Sequence, residues 1–599
     1  MNRQRLDPDS RLYRIRHSLS HVLAQAVMEI RPEAKLGYGP PIENGFYYDF
    51  DLHPPLAPED LPRLEKIMRR IIGADQRFER EDVPAEELIE RLRGDGAIYK
   101  TENAEEMRDN GQKVLSVYRN GPFSDMCEGP HVTSTKELPA DAFKIDSLAG
   151  AYWRGSEENK MLQRVYGLAF ETKTELKEFL AKRELAKERD HRKLGAELQI
   201  FTISDEVGRG LPLWMPNGTV LRDELEKLAK ETEFQWGYQR VSTPHITKEG
   251  LFLKSGHLPY YAADMFPPME GDEGNYYLKP MNCPLHHMIY KAIPRSYRDL
   301  PLRLAEYGTC YRYEQSGELS GLLRVRAMAM NDAHIYCAEE QTREEFASVM
   351  RLHSFYYDLF GIENYWVRLS LPDLAAAGKK FVGHPDVWAR AEKLVIEAME
   401  DSGIPFEAVR GEAAFYGPKI DMQLRNVIGR EETVSTNQLD LIMSERFDLT
   451  YIGKDNERHR PQIIHRAPLG THERFVAFLI EHYGGVFPTW LAPVQVRLIP
   501  VAPAFNAYVQ GLRDVLRRGF VRAEVDDSGD SFGKKIRSGA TSKVPNLFIV
   551  GQKEASDSAV SWKRHGAKAQ ITLPFDKARE MLQKEISERI DWRRDDGEP

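Results

Sequence analysis

The chain has 599 residues, of which 41% are hydrophobic and 29% charged, so it is expected to form several globular domains, because a single core stops growing near about 250–300 residues. Its formal net charge of −9 argues against indiscriminate nucleic-acid binding but is compatible with a local basic groove. The four cysteines are too few for a disulfide framework and favour a reducing cytoplasm, and we find neither an apolar run long enough to span a bilayer nor a signal-peptide segment near Met1.

The first segment runs to about residue 170 and contains two groups of candidate site residues. Apolar residues recur at helical spacing in residues 16–30, which predicts a helix with His17 and His21, four residues apart, on one face. The second group lies in the turn-forming segment FSDMCEGPHV and comprises Asp125, Cys127 and His131. A histidine pair alone is most often structural, but the second group raises the odds of a shared site.

The rest of the chain is predicted to alternate helices and strands. Residues 172–194 are almost all Glu, Lys, Arg, Leu and Ala with opposite charges four apart, which predicts an exposed helical connector. Residues 218–236 are predicted to form a long amphipathic helix, and residues 238–246 a strand that ends near Pro244. From about residue 491, the short apolar strands VQVRLIPV, RAEVDD and NLFIV alternate with helical pieces and predict a compact α/β domain.

Residues 311–337 combine two kinds of chemistry. Asp332 and His334 are two residues apart and therefore lie on one face of a predicted strand. Arginine forks match phosphate or carboxylate oxygens, and the charged residues that precede this strand are Arg312, Glu314, Arg324 and Arg326. The stretch predicts two antiparallel strands joined by a loop. Its arginines would bind a nucleotide, and Asp332 and His334 would bind a second group. A hairpin with a solvated charged face is the alternative.

Three further segments contain residue types that bind metals, nucleotides or anions. They are KPMNCPLHH with Cys283, IIHRAPLGTHERF with His465 and Arg474, and the stretch from FYGPKIDMQL to STNQLDL with Tyr416, Lys419, Asp421, Gln438 and Asp440. The sequence has no GxxxxGK(S/T) loop and no GxGxxG segment after a strand, so a nucleotide would be held mainly by arginines. By spacing alone, Cys283 is a buried thiol and not a zinc ligand.

Taken together, these segments resemble the threonyl-tRNA synthetases, a class II aminoacyl-tRNA synthetase family, from about residue 12 to about residue 589. The resemblance implies a multidomain α+β and α/β fold. Its parts would be an editing domain at residues 1–170, a helical linker at 171–195, a class II catalytic core with an antiparallel sheet at 196–490, and an α/β anticodon-binding domain at 491–599. It also implies a form without the amino-terminal ubiquitin-like domain of many members. The implied activity is activation of L-threonine with ATP, transfer to threonine tRNA, and hydrolysis of mischarged Ser-tRNA.

The resemblance also implies roles for individual residues. Arg312 would bridge the ATP α-phosphate and the threonine carboxylate, Glu314 would hold the adenine amino group, and Arg324 would clamp the terminal phosphates. The other implied residues are Arg474 and Gln438 for ATP, Lys419 and His257 for catalysis, and Asp332 and Tyr416 for threonine. One Zn²⁺ per subunit would be bound by Cys283, His334 and His465, with Mg²⁺ accompanying ATP. Pro244 would end motif 1 at a homodimer interface.

Chemical reasoning agrees with this resemblance. Three protein ligands leave a position open on zinc, as a catalytic site requires, and valine has no hydroxyl to fill it, so it is rejected by a factor on the order of 10⁴ or more. Serine keeps the hydroxyl and lacks one methyl, which gives only about 1–3 kcal/mol of discrimination. A second, hydrolytic site is therefore expected. The resemblance assigns it to His17, His21, Asp125, Cys127 and His131, with Tyr48 and Lys100 as weaker candidates; hydrolysis without a metal is favoured, and a zinc site is the alternative.

In the last domain, the resemblance implies that Lys534, Lys535, Arg537 and Lys543 contact tRNA phosphates and that Glu554 faces bases. Four positions depart from the commonest family pattern: Met330 stands for glutamine, Asn331 for aspartate, Leu258 for tryptophan and Lys563 for arginine. The expected partners are threonine tRNA, ATP, L-threonine and a second subunit, with no membrane. Two rivals, a non-catalytic RNA-binding paralogue and a stand-alone trans-editing hydrolase, would each lack part of this residue set.

Overall fold

The computed structural model describes residues 7–373, 385–413, 417–425 and 431–594. The chain forms two compact units, Met1–Arg183 and Glu184–Pro599, each with a hydrophobic core of its own. Within the described ranges, no helix is both long and apolar enough to cross a membrane. Tyr416, one of the residues expected to bind threonine, lies outside the described residues.

The first unit packs helices against antiparallel sheets. Its helices are α1 (Arg11–Ile30), α2 (Leu61–Gly73), α3 (Ala85–Gly94) and α4 (Ile98–Asp109). Its strands are β1 (Lys35–Leu36), β2 (Pro41–Ile42), β3 (Gly45–Asp51), β4 (Phe78–Pro84), β5 (Val114–Asn120), β6 (Phe123–Met126), β7 (Phe143–Tyr152) and β8 (Met161–Ala169). The larger sheet has the order β1-β3-β8-β7 with β2 paired to β3, and the smaller has the order β4-β5-β6.

Helix α1 confirms the helix predicted from residues 16–30. The Ser10 hydroxyl accepts a hydrogen bond from the Tyr13 backbone N–H and caps it. Apolar residues of α1 such as Leu19 and Leu23 are fully buried. Because almost the whole middle of the helix is buried, His17 and His21 lie in the interior rather than on a solvated face.

The predicted connector is helical but is broken near its end. It consists of α5 (Lys173–Arg189) and α6 (His191–Glu197), and Asp190 caps α6 by accepting a hydrogen bond from the Arg192 backbone N–H. Most of α5 is exposed, as predicted. The prediction of an exposed connector is wrong at α6, since His191 and Leu194 are buried.

The second unit contains an eight-stranded sheet with the order β11-β14-β15-β22-β19-β18-β16-β17. Its six central strands pair antiparallel, and β11 and β17 add at the two edges in parallel. The strands of this part are β9 (Phe201–Thr202), β10 (Leu213–Trp214), β11 (Gln239–Arg240), β12 (Ile246–Lys248), β13 (Tyr276–Leu278), β14 (Leu302–Tyr311), β15 (Ala327–Cys337), β16 (Tyr365–Leu371), β17 (Phe406–Arg410), β18 (Lys419–Arg425), β19 (Glu431–Asp440), β20 (Tyr451–Ile452), β21 (Arg458–His459) and β22 (Gln462–Ala467). The helices are α7 (Pro216–Gln235), α8 (Glu249–Ser255), α9 (His257–Tyr260), α10 (Cys283–Lys291), α11 (Thr342–Phe360), α12 (Pro385–Ser402), α13 (Met443–Arg446) and α14 (His472–Tyr483).

Of the three predicted elements in this part, α7 matches the predicted long helix. The predicted hairpin is present as β14, a loop and β15, paired antiparallel along ten residues of β14, but its first strand was placed wrongly, since β14 ends at Tyr311 and only β15 lies within residues 311–337. The strand predicted for residues 238–246 is wrong in extent. Only Gln239 and Arg240 join the large sheet, and Ile246 starts β12, which pairs with β13 elsewhere.

The end of the chain forms the predicted α/β domain. Its strands are β23 (Val496–Pro500), β24 (Ala523–Val525), β25 (Asn546–Val550), β26 (Ala559–Arg564) and β27 (Ile571–Pro574). Its helices are α15 (Asn506–Arg518), α16 (Phe532–Thr541), α17 (Gln552–Ser556) and α18 (Phe575–Ser587). The sheet order is β24-β23-β25-β26-β27, with the first three strands parallel.

Candidate functional site

The hairpin of β14 and β15 forms part of the wall of a cavity of about 250 Å³. The strand register places Glu306 opposite Asp332 and Leu304 opposite His334, deep in the strand pair. Arg312 lies just beyond the loop end of β14. Among the predicted residues, the cavity is lined by Arg312, Glu314, Arg324, Met330, Gln438 and Arg474. The cations and the residues of metal-binding type therefore lie at different positions along one hairpin.

Three guanidinium groups converge on this cavity. Arg312 Nε is buried and has no hydrogen-bond partner within the described part of the chain. Arg324 Nε lies 2.7 Å from a carboxylate oxygen of Glu314. Arg474 donates from Nε to the Leu323 carbonyl at 3.2 Å and from Nη1 to the Thr433 carbonyl at 2.9 Å. Burial lowers the pKa of Arg474, while nearby acidic residues act in the opposite direction. An anion in the cavity would therefore stabilise the positive charge of the cluster.

The floor of the same region is built from β15, β18 and β19. Asn282 donates from Nδ2 to Asp332 at 3.0 Å, and both side chains are buried. Lys419 and Gln438 face each other in the strand register, and Lys419 Nζ lies 3.0 Å from the Asp421 carboxylate. The lysine ammonium is thus held next to a residue that lines the cavity.

Cys283, His334 and His465 are brought together although they are far apart in sequence. One donor atom from each lies within 4.8 Å of the others. The buried His334 Nε2 has no hydrogen-bond partner among the described residues, while its Nδ1 lies 2.8 Å from Nδ1 of His286. His465 Nε2 lies 2.9 Å from the Asp440 carboxylate. Oriented rings and a buried nitrogen without a partner fit a metal-binding site.

The charge balance of this cluster also suits a cation. Burial, followed by the charges of Asp332 and Asp440, raises the pKa of the Cys283 thiol. Burial also lowers the pKa of His334 well below its usual range. Neutral imidazole is the form that binds a metal, and a bound cation would stabilise the thiolate.

His257 lies in a second, mostly apolar cavity of about 210 Å³ beside this cluster. Cys283, Asp440 and His465 line the same cavity. His257 Nδ1 lies 2.7 Å from the Ser255 hydroxyl, and burial lowers the pKa of His257 to about 4. His257 is therefore a neutral group beside the candidate metal site at physiological pH.

In the first unit, the predicted residues line or adjoin a cavity of about 660 Å³. Cys127 Sγ lies 3.1 Å from His17 Nε2 and 3.3 Å from His131 Nε2. Donor atoms of His17, His21, Cys127 and His131 lie within 4.8 Å of one another. Burial lowers the pKa of His17 to about 4 and raises that of Cys127 to about 12.

Asp125 is the centre of a buried polar network at this cavity. It accepts hydrogen bonds from the Tyr48 hydroxyl and from Lys100 Nζ, the latter at 2.9 Å, and His21 Nε2 lies 4.0 Å away. Tyr48 and Lys100 were weak candidates from the sequence, because neither lies in a recognisable motif. The fold brings them to Asp125 from β3 and α4, which only the tertiary structure could reveal.

The residues predicted to contact the anticodon lie on or near α16 and α17. Lys534 and Arg537 are exposed, and Lys534 Nζ lies 2.8 Å from Asp530. Lys535 is buried and donates to the Asp526 carbonyl at 3.0 Å, whereas Lys543 is half-buried. Glu554 accepts hydrogen bonds from the Gly551 N–H and the Ser561 hydroxyl.

Two polar residues of the catalytic region were not predicted, namely Asn282, which contacts Asp332, and His286, which contacts His334. Both lie in the segment KPMNCPLHH, which was selected only for Cys283. Their proximity to that cysteine was the available signal. A helix such as α10, which starts at Cys283, carries nearby residues to the same site.

Comparison with protein-family models identifies three matching regions. Residues 266–483 match the class II tRNA synthetase core domain (G, H, P, S and T). Residues 495–585 match an anticodon binding domain. Residues 115–166 match the second additional domain of threonyl and alanyl tRNA synthetases.

Curated proteins and solved structures agree with these matches. The chain is 48% identical over 591 residues to a threonine–tRNA ligase of Gloeobacter violaceus, covering 97% of this chain and 94% of that protein. It is 49% identical over 577 residues to a threonine–tRNA ligase of Deinococcus radiodurans, covering 95% and 88%. A solved structure described as the RNA binding domain of threonyl-tRNA synthetase from Cryptosporidium parvum superposes with a TM-score of 0.63 and 33% identity, covering 66% of this chain and 98% of that one.

Proposed function

This chain belongs to the threonine–tRNA ligase family, and from that premise we propose which residues carry out its reactions. It is an aminoacyl-tRNA ligase that activates L-threonine with ATP, transfers it to threonine tRNA, and hydrolyses mischarged Ser-tRNA in its editing domain. We propose the domain boundaries 1–170, 171–195, 196–490 and 491–599 for the editing domain, linker, catalytic core and anticodon-binding domain. The family matches at 115–166, 266–483 and 495–585 support this division.

The activation step is an in-line attack of the threonine carboxylate on the α-phosphorus of ATP. Both reactants are anions, so the barrier is lowered mainly by orientation and by fixed positive charge. We assign Arg312 to the α-phosphate and the threonine carboxylate, Arg324 to the terminal phosphates, and Arg474 to ATP. The observation that carries this assignment is their convergence on one cavity together with Glu314 and Gln438.

Glu314 would accept from the adenine amino group, and Gln438 would contact ATP from the facing strand. Lys419, held by Asp421, would add positive charge beside the reacting phosphate. His257, kept neutral by burial, would serve at the terminal ribose of the tRNA during transfer. Tyr416 would bind threonine together with Asp332.

We assign Cys283, His334 and His465 as the ligands of one Zn²⁺ per subunit, with Mg²⁺ accompanying ATP. His334 Nε2, which has no hydrogen-bond partner within the described ranges, and the orienting Asp440 support a metal at this position. Bound zinc would supply a Lewis acid with an open position for the threonine hydroxyl and amine. Asp332, fixed by Asn282, would accept a hydrogen bond from the substrate and complete the selection for a hydroxyl.

We propose that the editing reaction proceeds without a metal. Two ligands of a tetrahedral zinc, one sulfur and one nitrogen, would lie about 3.5 Å apart given the usual bond lengths. Cys127 Sγ lies closer to His17 and His131, at 3.1 and 3.3 Å, which is hydrogen-bonding geometry. His17 and His21 would orient the attacking water, Cys127 and His131 would hold the cluster, and Asp125 with Lys100 would position the ester.

The remaining assignments concern partners. Exposed Lys534 and Arg537 and half-buried Lys543 would contact anticodon-arm phosphates, with Glu554 near the bases and Lys535 holding the adjoining loop. We propose a cytoplasmic homodimer that pairs through motif 1 around Pro244. Phe234, at the end of the motif 1 helix α7, is 82% exposed, as expected of a surface that a second subunit covers.

The test is threonine-dependent ATP–pyrophosphate exchange by the purified protein across the twenty amino acids, with metal content measured on the same sample. We expect strong exchange with threonine, weaker exchange with serine, little with valine, and one zinc per chain. Exchange with an amino acid that lacks a β-hydroxyl, in preference to threonine, would reject the assignment.

A further inference from the structure

The buried histidine at the start of α6 belongs to neither of the two proposed sites. His191 is the first residue of α6, immediately after the charged connector helix α5, and only 2% of its surface is exposed. Its Nδ1 lies 2.8 Å from Glu481 on α14. Its Nε2 accepts a hydrogen bond from the Leu322 backbone N–H at 3.2 Å. His191 therefore joins the start of the core to the loop between β14 and β15.

The partners of His191 determine which ring nitrogen carries the proton. The Leu322 N–H can only donate, so His191 Nε2 must offer a lone pair. The Glu481 carboxylate accepts, so His191 Nδ1 must carry the hydrogen. Glu481 thus favours the tautomer whose Nε2 can accept a hydrogen bond from the loop amide. Leu322 is fully buried, so water cannot replace this hydrogen bond if the histidine is removed.

The loop segment held in this way reaches the nucleotide cavity within two residues. The carbonyl of Leu323, the next residue, accepts the hydrogen bond from Arg474 Nε. Arg324 follows, paired with Glu314, and all four side chains line the cavity. A shift of the Leu322 amide would therefore move both an arginine of the loop and the backbone acceptor that holds Arg474.

Close packing supports a specific fit between His191 and the loop. Gly321 has a φ of +50°, and a Cβ built on it would lie 2.3 Å from His191 Nε2. Gly317, in the same loop, has no heavy atom within 4 Å of such a Cβ. The loop thus needs glycine at the position that contacts His191 and has open space at Gly317.

We propose that His191 is a positioning residue for ATP, which acts by fixing the Leu322–Arg324 segment through the hydrogen-bond chain Glu481–His191–Leu322. The inference rests on the proposed function of the cavity as the ATP site and extends it to a residue of the linker. In the proposed function, threonine binds on the Asp332 side of the hairpin, so we expect its binding not to depend on this hydrogen-bond chain.

Two substitutions separate this role from a purely structural one. Asparagine reaches only as far as the Nδ1 position, so His191→Asn keeps a donor for Glu481 and loses the acceptor for Leu322. Glutamine reaches the Nε2 position, so His191→Gln can accept from Leu322 and loses the contact with Glu481. We expect His191→Asn to weaken ATP binding roughly three- to tenfold, and His191→Gln to stay within about threefold of the wild type.

The measurements are ATP–Mg²⁺ affinity by calorimetry on the full-length protein, hydrogen exchange of the peptide that contains Leu322, and KM for threonine. Faster exchange of this peptide and weaker ATP binding in His191→Asn, with KM for threonine unchanged, would support the proposal. The reverse ranking, with asparagine near wild type and glutamine impaired, would overturn it in favour of a tether between α6 and α14. Equal losses for ATP and threonine would overturn it as well.

Gly321→Ala disturbs the segment both through the positive φ of Gly321 and through its contact with His191, and Gly317→Ala, at an open position of the same loop, is its control. We expect ATP binding to weaken in Gly321→Ala and to remain unchanged in Gly317→Ala; equal effects would overturn the proposed fit. Threonine-dependent exchange by the wild-type protein tests the proposed function in the same preparation. ATP affinity and amide exchange decide the role of His191 whichever amino acid the enzyme activates, so the two failures are distinguishable.

Discussion

The two cysteine–histidine clusters among the described residues contain the same types of side chain in different surroundings. In the first unit, Cys127 Sγ lies at hydrogen-bonding distance from His17 and His131, while Nδ1 of His17 and Nδ1 of His21 are buried without a hydrogen-bond partner among the described residues. In the core, the buried His334 Nε2 has no partner among the described residues, while His286 holds the other nitrogen of its ring and Asp440 holds His465. The contrast teaches that ligand identity does not define a metal site. The groups that orient the ligands define the site, because they decide whether the lone pairs of the ligands point at one another or at a common metal position.

Cys283→Ala tests the core cluster and is expected to have the largest effect. Losing one of three ligands should remove the metal, and threonine-dependent exchange should fall on the order of 10³-fold. Metal content by atomic emission and exchange on the same sample provide the measurement. Cys337→Ala is the matched control, since Cys337 is also a buried cysteine of the core and contacts Thr342 rather than a candidate ligand. Full exchange by a zinc-free Cys283→Ala protein would refute the assignment.

Cys127→Ala tests the other half of the contrast. Because Cys127 holds both His17 and His131, its loss should slow the hydrolysis of Ser-tRNA by about 10²-fold, the usual contribution of a positioned acid–base group. Zinc content and threonine-dependent exchange should be unchanged. Deacylation of purified Ser-tRNA is the measurement. Undiminished clearance would place editing outside this cluster, and lost zinc would show that the cluster holds a metal.

Residue types and local patterns predicted much of this arrangement. The hairpin follows from alternating strand residues and a turn-prone loop, and helix α1 follows from apolar spacing, so both were predictable. The strand expected at residues 238–246 was not, because Ile246 pairs with β13 instead of the large sheet, and tertiary pairing overrides local propensity. The charge-rich connector gave no sign that His191 would be buried, since its partners Glu481 and Leu322 are more than a hundred residues away.

The same limit applies to the polar residues that surround each site. Tyr48 and Lys100 reach Asp125 from separate elements, and Asn282 reaches Asp332 from the start of α10. No spacing rule links such residues, because long-range contacts are created by folding and not by sequence proximity. The family resemblance implied Tyr48 and Lys100 as candidates, but their contacts with Asp125 and the contact of Asn282 with Asp332 became visible only in three dimensions.

The pH dependence of editing tests the cluster of the first unit through a smaller effect. Burial lowers the pKa of His17 to about 4, so this ring stays neutral when the pH falls from about 7.5 to about 6, where a histidine with the ordinary pKa of about 6.5 would become mostly protonated. The enzymatic rate of Ser-tRNA deacylation should therefore change less than about twofold over this interval after subtraction of the uncatalysed rate. The uncatalysed hydrolysis of the same Ser-tRNA is the control. A fall that follows a pKa near 6.5 would contradict a neutral, buried His17.

A further prediction concerns Met330, the apolar residue of β15 that lines the cavity between the arginines and the metal cluster. The family resemblance implies glutamine at this position, where it would help to bind the threonine carboxylate. Met330→Gln adds a donor for that carboxylate and should lower KM for threonine by roughly three- to tenfold, the net value of one typical hydrogen bond. Met330→Leu, which adds no donor, is the control and should leave KM within about twofold. Serine has the same carboxylate, so its KM should fall in parallel and the ratio of the two should not change. A changed ratio would mean that position 330 contributes to selection of the side chain, a task that we have proposed for the metal cluster of the core and for the hydrolytic cluster of the first unit.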